Sequence, residues 1–301
     1  MLIVGVQARQ ETPEAEYDAH VGGRGIFGGI IAGTDGSERA GAAVREGARL
    51  ASMTGTRLRI VFVIDTGRPR DQGDEPLPEE AVAKATAIAE EVGATIDARI
   101  VSGDPAARLM EAADEDRTAL ICIGPDTGLT FGPPRIGRVA SSVLRDATCS
   151  VLVSRSVEQN VPTQIVCGID GTAGSAELAD LAITIAEMAD ATAQLIQVVS
   201  PLGLRLGRRS REMSFRSRTF KAAVGARSER GIAPTFAKAS GRAGPKLVEV
   251  ANRNGSDLLI VGRRDGGMEQ TLLGSVSEYC TRNASCSVLV ARPSVPFQTN
   301  T

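Results

Sequence analysis

A chain of 301 residues with 42% apolar content, only 3% aromatics and no Trp excludes a core built on large rings, leaving Ala, Val, Ile and Leu to fill it. A formal charge of −2 excludes a global pull toward nucleic acid or anionic membrane, and no run approaches the roughly 20 apolar residues of a bilayer span. The length suits two domains of about 150 residues.

Residues 1–25 read as an N-terminal extension. Its apolar start, "MLIVGV", is short and lacks the basic flank of a secretory leader. It is expected to be an arm able to add to a sheet edge or a dimer contact, and a start further downstream is a second reading. From there strands and helices alternate. "IFGGIIAG" is a buried strand; residues 37–55 form a helix with Ser37 as cap and Gly55 as stop. "RLRIVFVI" is the second strand. "PEEAVAKATAIAEEVG" is a helix opened near Pro78 and closed at Gly93. "TIDARIV" is the third strand, followed by the helix "PAARLMEAADED", the strand "ALICIG", the helix "GRVASSVLRDA" and the strand "CSVLVS". Alternation with nearly continuous apolar strands predicts a parallel sheet covered by helices on both faces.

The pattern is then written a second time. Residues 137–153, "GRVASSVLRDATCSVLV", match residues 274–290, "GSVSEYCTRNASCSVLV", at nine of seventeen positions without a gap. "GTDGS" (33–37) likewise corresponds to "GIDGT" (168–172). The reading is an α/β chain of two tandem doubly wound, Rossmann-like domains, each with a five-stranded, mainly parallel sheet. Their bounds are 26–155 and 163–292, with a linker at 156–162 and a tail at 293–301.

Doubly wound sheets bind ligands beyond the carboxyl ends of their strands, where the strand order reverses. With the order 3-2-1-4-5 the reversal lies between strands one and four. Asp35 and Asp170 end the first strands; glycine loops follow the fourth. In the second copy the loop runs into "LLGSVSE", where Gly274 and Ser275 open a helix whose unpaired N–H groups suit an anion. A tight turn with a Ser cap explains the same residues, and an Asx turn explains the two aspartates.

Each repeat resembles a universal stress protein (UspA-like) domain, on "GTDGS", "GIDGT", "LLGSVSE" and "CSVLVAR". The resemblance implies stress-response regulation, binding of an adenine nucleotide (ATP, AMP or ADP, with Mg²⁺ as a companion) and a phosphate motif G-x2-G-x9-G-[ST]. Carried onto this chain, it implicates Asp170, Val198, Gly262, Gly266, Gly274, Ser275 and Val276 in the second repeat. In the first it implicates Asp35, Val63, Gly124, Gly137 and Arg138. Neither motif is intact. The first keeps the spacing but has Thr127 and Arg138 at motif positions; the second is one residue short and has Asp265 for a glycine. Arg263 and Arg264 are expected to offset Asp265, and Arg138 either meets phosphate or fills the pocket. The second repeat is the favoured site. The competing reading is a nucleotide-free scaffold acting through protein contacts.

His20 is the only histidine, so a histidine-based triad or metal site is not expected. No residue offers a base for ATP hydrolysis; slow turnover is the most the resemblance allows. The pairs Glu79-Glu80 and Glu90-Glu91 read as solvated helix faces. Five cysteines without metal spacing read as small hydrophobes in a reducing cytoplasm. The resemblance implies pairing through the fifth strands, within the chain as a pseudo-dimer or between chains as a homodimer. Antiparallel pairing there would separate Cys149 from Cys286. Residues 205–230 carry eight Arg and Lys221 against Glu212 and Glu229, whereas 71–91 carry seven carboxylates against Lys84. These segments are solvated, or the basic one meets an acidic partner.

Overall fold

The computed structural model describes residues 26–67, 76–115, 120–125, 136–155, 161–171, 174–199, 233–263 and 273–292. The first repeat runs β1 (Ile30–Thr34), α1 (Glu38–Thr54), β2 (Leu58–Asp65), α2 (Pro78–Glu90), β3 (Ile96–Gly103), α3 (Pro105–Glu115), β4 (Leu120–Ile123), α4 (Arg138–Asp146) and β5 (Ser150–Val153). The second runs β6 (Gln164–Ile169), α5 (Gly174–Ala189), β7 (Thr192–Val199), β8 (Thr235–Ser240), α6 (Ala243–Arg253), β9 (Leu258–Gly262), α7 (Ser275–Asn283) and β10 (Ser287–Ala291). The basic segment at 205–230 lies outside the described residues.

The small-residue composition shows its use in α1. Ala40, Gly41, Ala43, Val44, Gly47, Ala48 and Ala51 are buried, which lets the helix lie close on the sheet. A Cβ on Gly47 would already touch Cys122 and Leu58 at 3.3 Å. The Ser37 hydroxyl accepts the Ala40 N–H at 3.2 Å, satisfying one orphan donor of the first turn. Gly55 ends the helix in the left-handed region at φ 69°.

All strands among the described residues belong to one sheet, ordered β3-β2-β1-β4-β5-β10-β9-β6-β7-β8. Each half keeps the expected order, with every neighbour parallel. The halves join where β5 and β10 pair antiparallel, Leu152 opposite Leu289. Of the two arrangements left open by the sequence, the intrachain one is therefore present. Two apolar clusters cover the two faces and both extend across the seam. One gathers Val44, Ala48, Leu152, Ile183 and Leu289; the other gathers Leu109, Val143, Val151, Leu247 and Val288. Full burial of each such Val, Leu or Ile is worth about 1.5–3 kcal/mol.

The five cysteines are all free and buried. The antiparallel register places Cys149 and Cys286 at opposite ends of the central pair. No described helix is long and apolar enough to cross a membrane.

Candidate functional site

The order of the sheet reverses between β1 and β4, and again between β6 and β9. Asp35 and Asp170 both stand exposed at these crevices, but their local roles differ. Asp35 Oδ1 accepts the Ser37 N–H at 2.9 Å, forming the Asx turn that leads into α1. Asp170 Oδ1 instead accepts the Ser175 hydroxyl at 3.0 Å, while Ser175 Oγ accepts the N–H groups of Asp170 and Gly171.

In the first repeat the crevice is occupied by its own side chains. Arg138, the first residue of α4, reaches Asp65 at the end of β2 with an N–O distance of 2.8 Å. Its other terminal nitrogen lies 3.6 Å from Asp104. Asp104 also caps α3, accepting the Ala107 N–H at 2.9 Å. The guanidinium is therefore paired with two carboxylates. Lys84 of α2 donates to the Gly36 carbonyl at 3.2 Å, closing the end of β1 from the other side.

In the second repeat the same positions carry different chemistry. Gly241 repeats the left-handed Gly103, at φ 145° against 142°, so Arg242 stands where Asp104 does. Ser275 stands where Arg138 does, and in sequence Ser200 replaces Asp65. Arg242 is the N-cap residue of α6 with no side-chain cap bond. It is exposed and pairs with none of the described residues. A cation at a helix N-terminus opposes the macrodipole and forgoes a cap worth about 1 kcal/mol. Ser275 is exposed at the start of α7. The first backbone bond of that helix is Glu278 N–H to Gly274 O at 2.9 Å, so the amides of Ser275, Val276 and Ser277 precede the helical ladder. Val198, Leu273 and Val276 are half-buried against the adjoining core, as Val63 is in the first repeat.

Gly124 and Gly262, the leading glycines of the two motifs, have a packing reason of their own. A Cβ on Gly124 would stand 2.9 Å from the Arg39 carbonyl oxygen, and one on Gly262 2.8 Å from Leu178. Gly137 and Gly274 are the N-cap residues of α4 and α7, in extended conformation. Gly266, Asp265, Arg264 and Thr127 lie outside the described residues. Among the described residues no cluster of His, Cys, Asp and Glu could hold a metal.

One expectation is corrected. Arg263 does not stand ready to offset a carboxylate beside phosphates; it is 6% exposed and turned into the seam between the repeats. There it donates to the carbonyls of Ala147, at 2.6 Å, and Arg145. Sequence reasoning anticipated the fifth-strand seam but missed the arginines that close it. Arg155 donates its N–H to Ser287 Oγ at 2.8 Å and its guanidinium to the carbonyls of Thr281 and Cys286. Arg292 repeats the pattern across the pseudo-twofold axis, with its N–H on Ser150 Oγ at 3.0 Å and Nη1 on Thr148 O at 2.9 Å. The recurring "VSR" and "VAR" after the fifth strands were the available signal.

Two half-sheets with crevices at their switch points, joined through their fifth strands, define a tandem doubly wound α/β protein by architecture. Residues 27–155 and again 163–292 match the universal stress protein family, and the chain belongs to that family. A universal stress protein of Mycobacterium tuberculosis is 28% identical over 298 residues, covering 88% of this chain and 97% of that one. Another, from Methanocaldococcus jannaschii, is 31% identical over 144 residues, 44% of this chain and 84% of the relative. The crystal structure of a universal stress protein from Archaeoglobus fulgidus shares the fold at a TM-score of 0.67 and 16% identity, over 88% of this chain and 98% of that one.

Proposed function

We propose that this universal stress protein is a regulatory protein that binds one adenine nucleotide per chain, in the second repeat, with the first repeat serving as its fixed partner. The observation that carries the reading is the exchange of charge between two equivalent crevices. The first holds Asp65, Asp104 and Arg138, which satisfy one another. The second holds Arg242 and Ser275 at the last two of these places, next to the unladdered amides of α7. Arg242 breaks the local rules for a helix N-terminus, and such violations concentrate at functional positions. Its charge, the Ser275 hydroxyl and the helix amides are together the donor set that a phosphate chain needs. Asp170 and the half-buried Val198 and Val276 flank them where a nucleoside would lie. Nucleotide occupancy, rather than turnover, is the regulatory state.

Thermal unfolding with and without ATP-Mg²⁺ tests this reading. Ligand at 100 times its Kd adds about 2.7 kcal/mol of stability, which is read as a rise in Tm. The rise is expected in the wild type and lost in Ser275→Arg and Arg242→Glu. A rise undiminished in both variants would move the nucleotide elsewhere, and none at millimolar ATP would favour the nucleotide-free scaffold.

A further inference from the structure

Arg263 directly follows Gly262, the residue on which β9 ends beside the switch point between β6 and β9. Both its main chain and its side chain are held. Its N–H donates to Ala291 O at 2.9 Å, and its buried guanidinium closes the last turn of α4 in the other repeat through Ala147 O and Arg145 O. Those carbonyls are orphan acceptors at the negative end of a helix, the place where a guanidinium gains most. Arg155 and Arg292 are pseudo-symmetric mates, but Arg263 has none, because Pro125 follows the equivalent Gly124. The tie runs in one direction only, from the end of β9 in the second repeat to the first repeat's helix. The opposite end of that same helix, nine residues long, carries Arg138 with its two carboxylates.

We infer that Arg263 is a positioning residue: by anchoring the end of β9, which borders the second crevice, to the C-terminal turn of α4, it makes the second repeat's nucleotide affinity depend on the first repeat. This rests on the nucleotide reading above. It gives the first repeat, whose own Arg138 is paired with carboxylates, a task in the site of its neighbour. The latch at Arg138 fixes one end of α4, and Arg263 draws on the other. Deleting the guanidinium leaves two seam carbonyls without their donor, and the end of β9 without its anchor.

The test uses the full-length chain as wild type, Arg263→Met, Arg263→Lys and Arg292→Met. Arg292→Met is the control, since it removes a comparable seam contact without touching β9. Two readouts are taken: amide hydrogen exchange of peptides covering 262–276 without ligand, and calorimetric titration with ATP-Mg²⁺. Arg263→Met is expected to speed exchange in 262–276 and to weaken ATP binding, each by about tenfold, the size of a lost charge-assisted bond. Arg263→Lys should fall between, and Arg292→Met should change neither. Unchanged exchange in Arg263→Met, an equal rise in Arg292→Met, or wild-type affinity in Arg263→Met overturns the inference. If the wild type itself binds no ATP, the nucleotide reading falls and the dependence of affinity falls with it. The exchange data then decide separately whether Arg263 anchors the chain after β9.

Discussion

Leu152 of β5 stands directly opposite Leu289 of β10, and the two residues hold equivalent positions in the two repeats. The flanking pairs, Val151 with Val290 and Val153 with Val288, exchange places about the same point. The pseudo-twofold axis therefore passes through one leucine pair, and the two half-sheets become one at that point. Both leucines are at most 2% exposed. Truncating either to Ala is expected to cost about 2–5 kcal/mol. Because they face each other, the double variant should depart from additivity by about 0.5–3 kcal/mol. Urea unfolding of the four chains gives the coupling; strict additivity would show that the two residues do not share one packing site.

The two repeats end their first helix at the same left-handed position with different residues. Gly55 sits there at φ 69°, with nothing within 4 Å of the place a Cβ would take, and Asp190 sits there at φ 52°. An L-residue in this region carries a penalty of about 1–2 kcal/mol, less for Asp than for most. Asp190→Gly should therefore raise stability by roughly 0.5–1 kcal/mol, and Gly55→Ala should lower it by roughly 1 kcal/mol. A lower urea midpoint for Asp190→Gly would mean that the carboxylate does more than tolerate its backbone.

Burial pushes the thiols of Cys149 and Cys286 up to about 11 and those of Cys167 and Cys280 up to about 12, with Cys122 well above its ordinary value. In the unfolded chain each ionises near 9.0. The folded chain thus keeps protons that the unfolded chain gives up. The contribution of these groups is complete below pH 9 and is lost as pH rises toward the folded values, at about 1.4 kcal/mol per pH unit for each thiol. The urea midpoint should fall between pH 9 and 11, and less steeply in Cys149→Ala. The native protein should also leave thiol reagents unreacted at neutral pH, with five equivalents titrating after denaturation. Equal slopes in the two proteins would contradict the assignment.

The Arg138 latch is a surface feature in energy. With Arg138 67% exposed, its bridges are worth about 0–1 kcal/mol, and Arg138→Ser should shift stability by no more than that. Removing the arginine alone leaves Asp65 and Asp104 to repel an anion. Exchanging all three residues for their second-repeat counterparts (Asp65→Ser, Asp104→Arg, Arg138→Ser) should create a second nucleotide site. Calorimetric stoichiometry would rise from one to two per chain; a value still at one would show that these residues do not decide occupancy.

Much of the fold was legible because each element announces itself locally. Ser37, Gly55, Pro78 and Gly93 mark helix ends, and the duplicated "CSVLV" reveals the repeat. Alternation of strands and helices gave the parallel sheet, and the strand order is the common one for five doubly wound strands. The site was legible only in outline. Glycine spacing pointed to the loops, but Gly124 and Gly262 also answer to packing against α1 and α5. The pairing of Arg138 with Asp65 joins residues 73 positions apart, and that of Arg263 with Ala147 joins residues 116 apart. No local pattern encodes such contacts. Arg263 was misplaced for that reason: beside a phosphate motif, its charge pointed to the ligand, whereas the continuous sheet turns it to the other repeat.

The most direct measurement of the central claim is a calorimetric titration of the full-length chain with ATP-Mg²⁺, set beside Ser275→Arg and Asp35→Ala. The account predicts one site per chain, abolished by Ser275→Arg and untouched by Asp35→Ala. A site that survives Ser275→Arg and disappears with Asp35→Ala would put the nucleotide in the first repeat and contradict it.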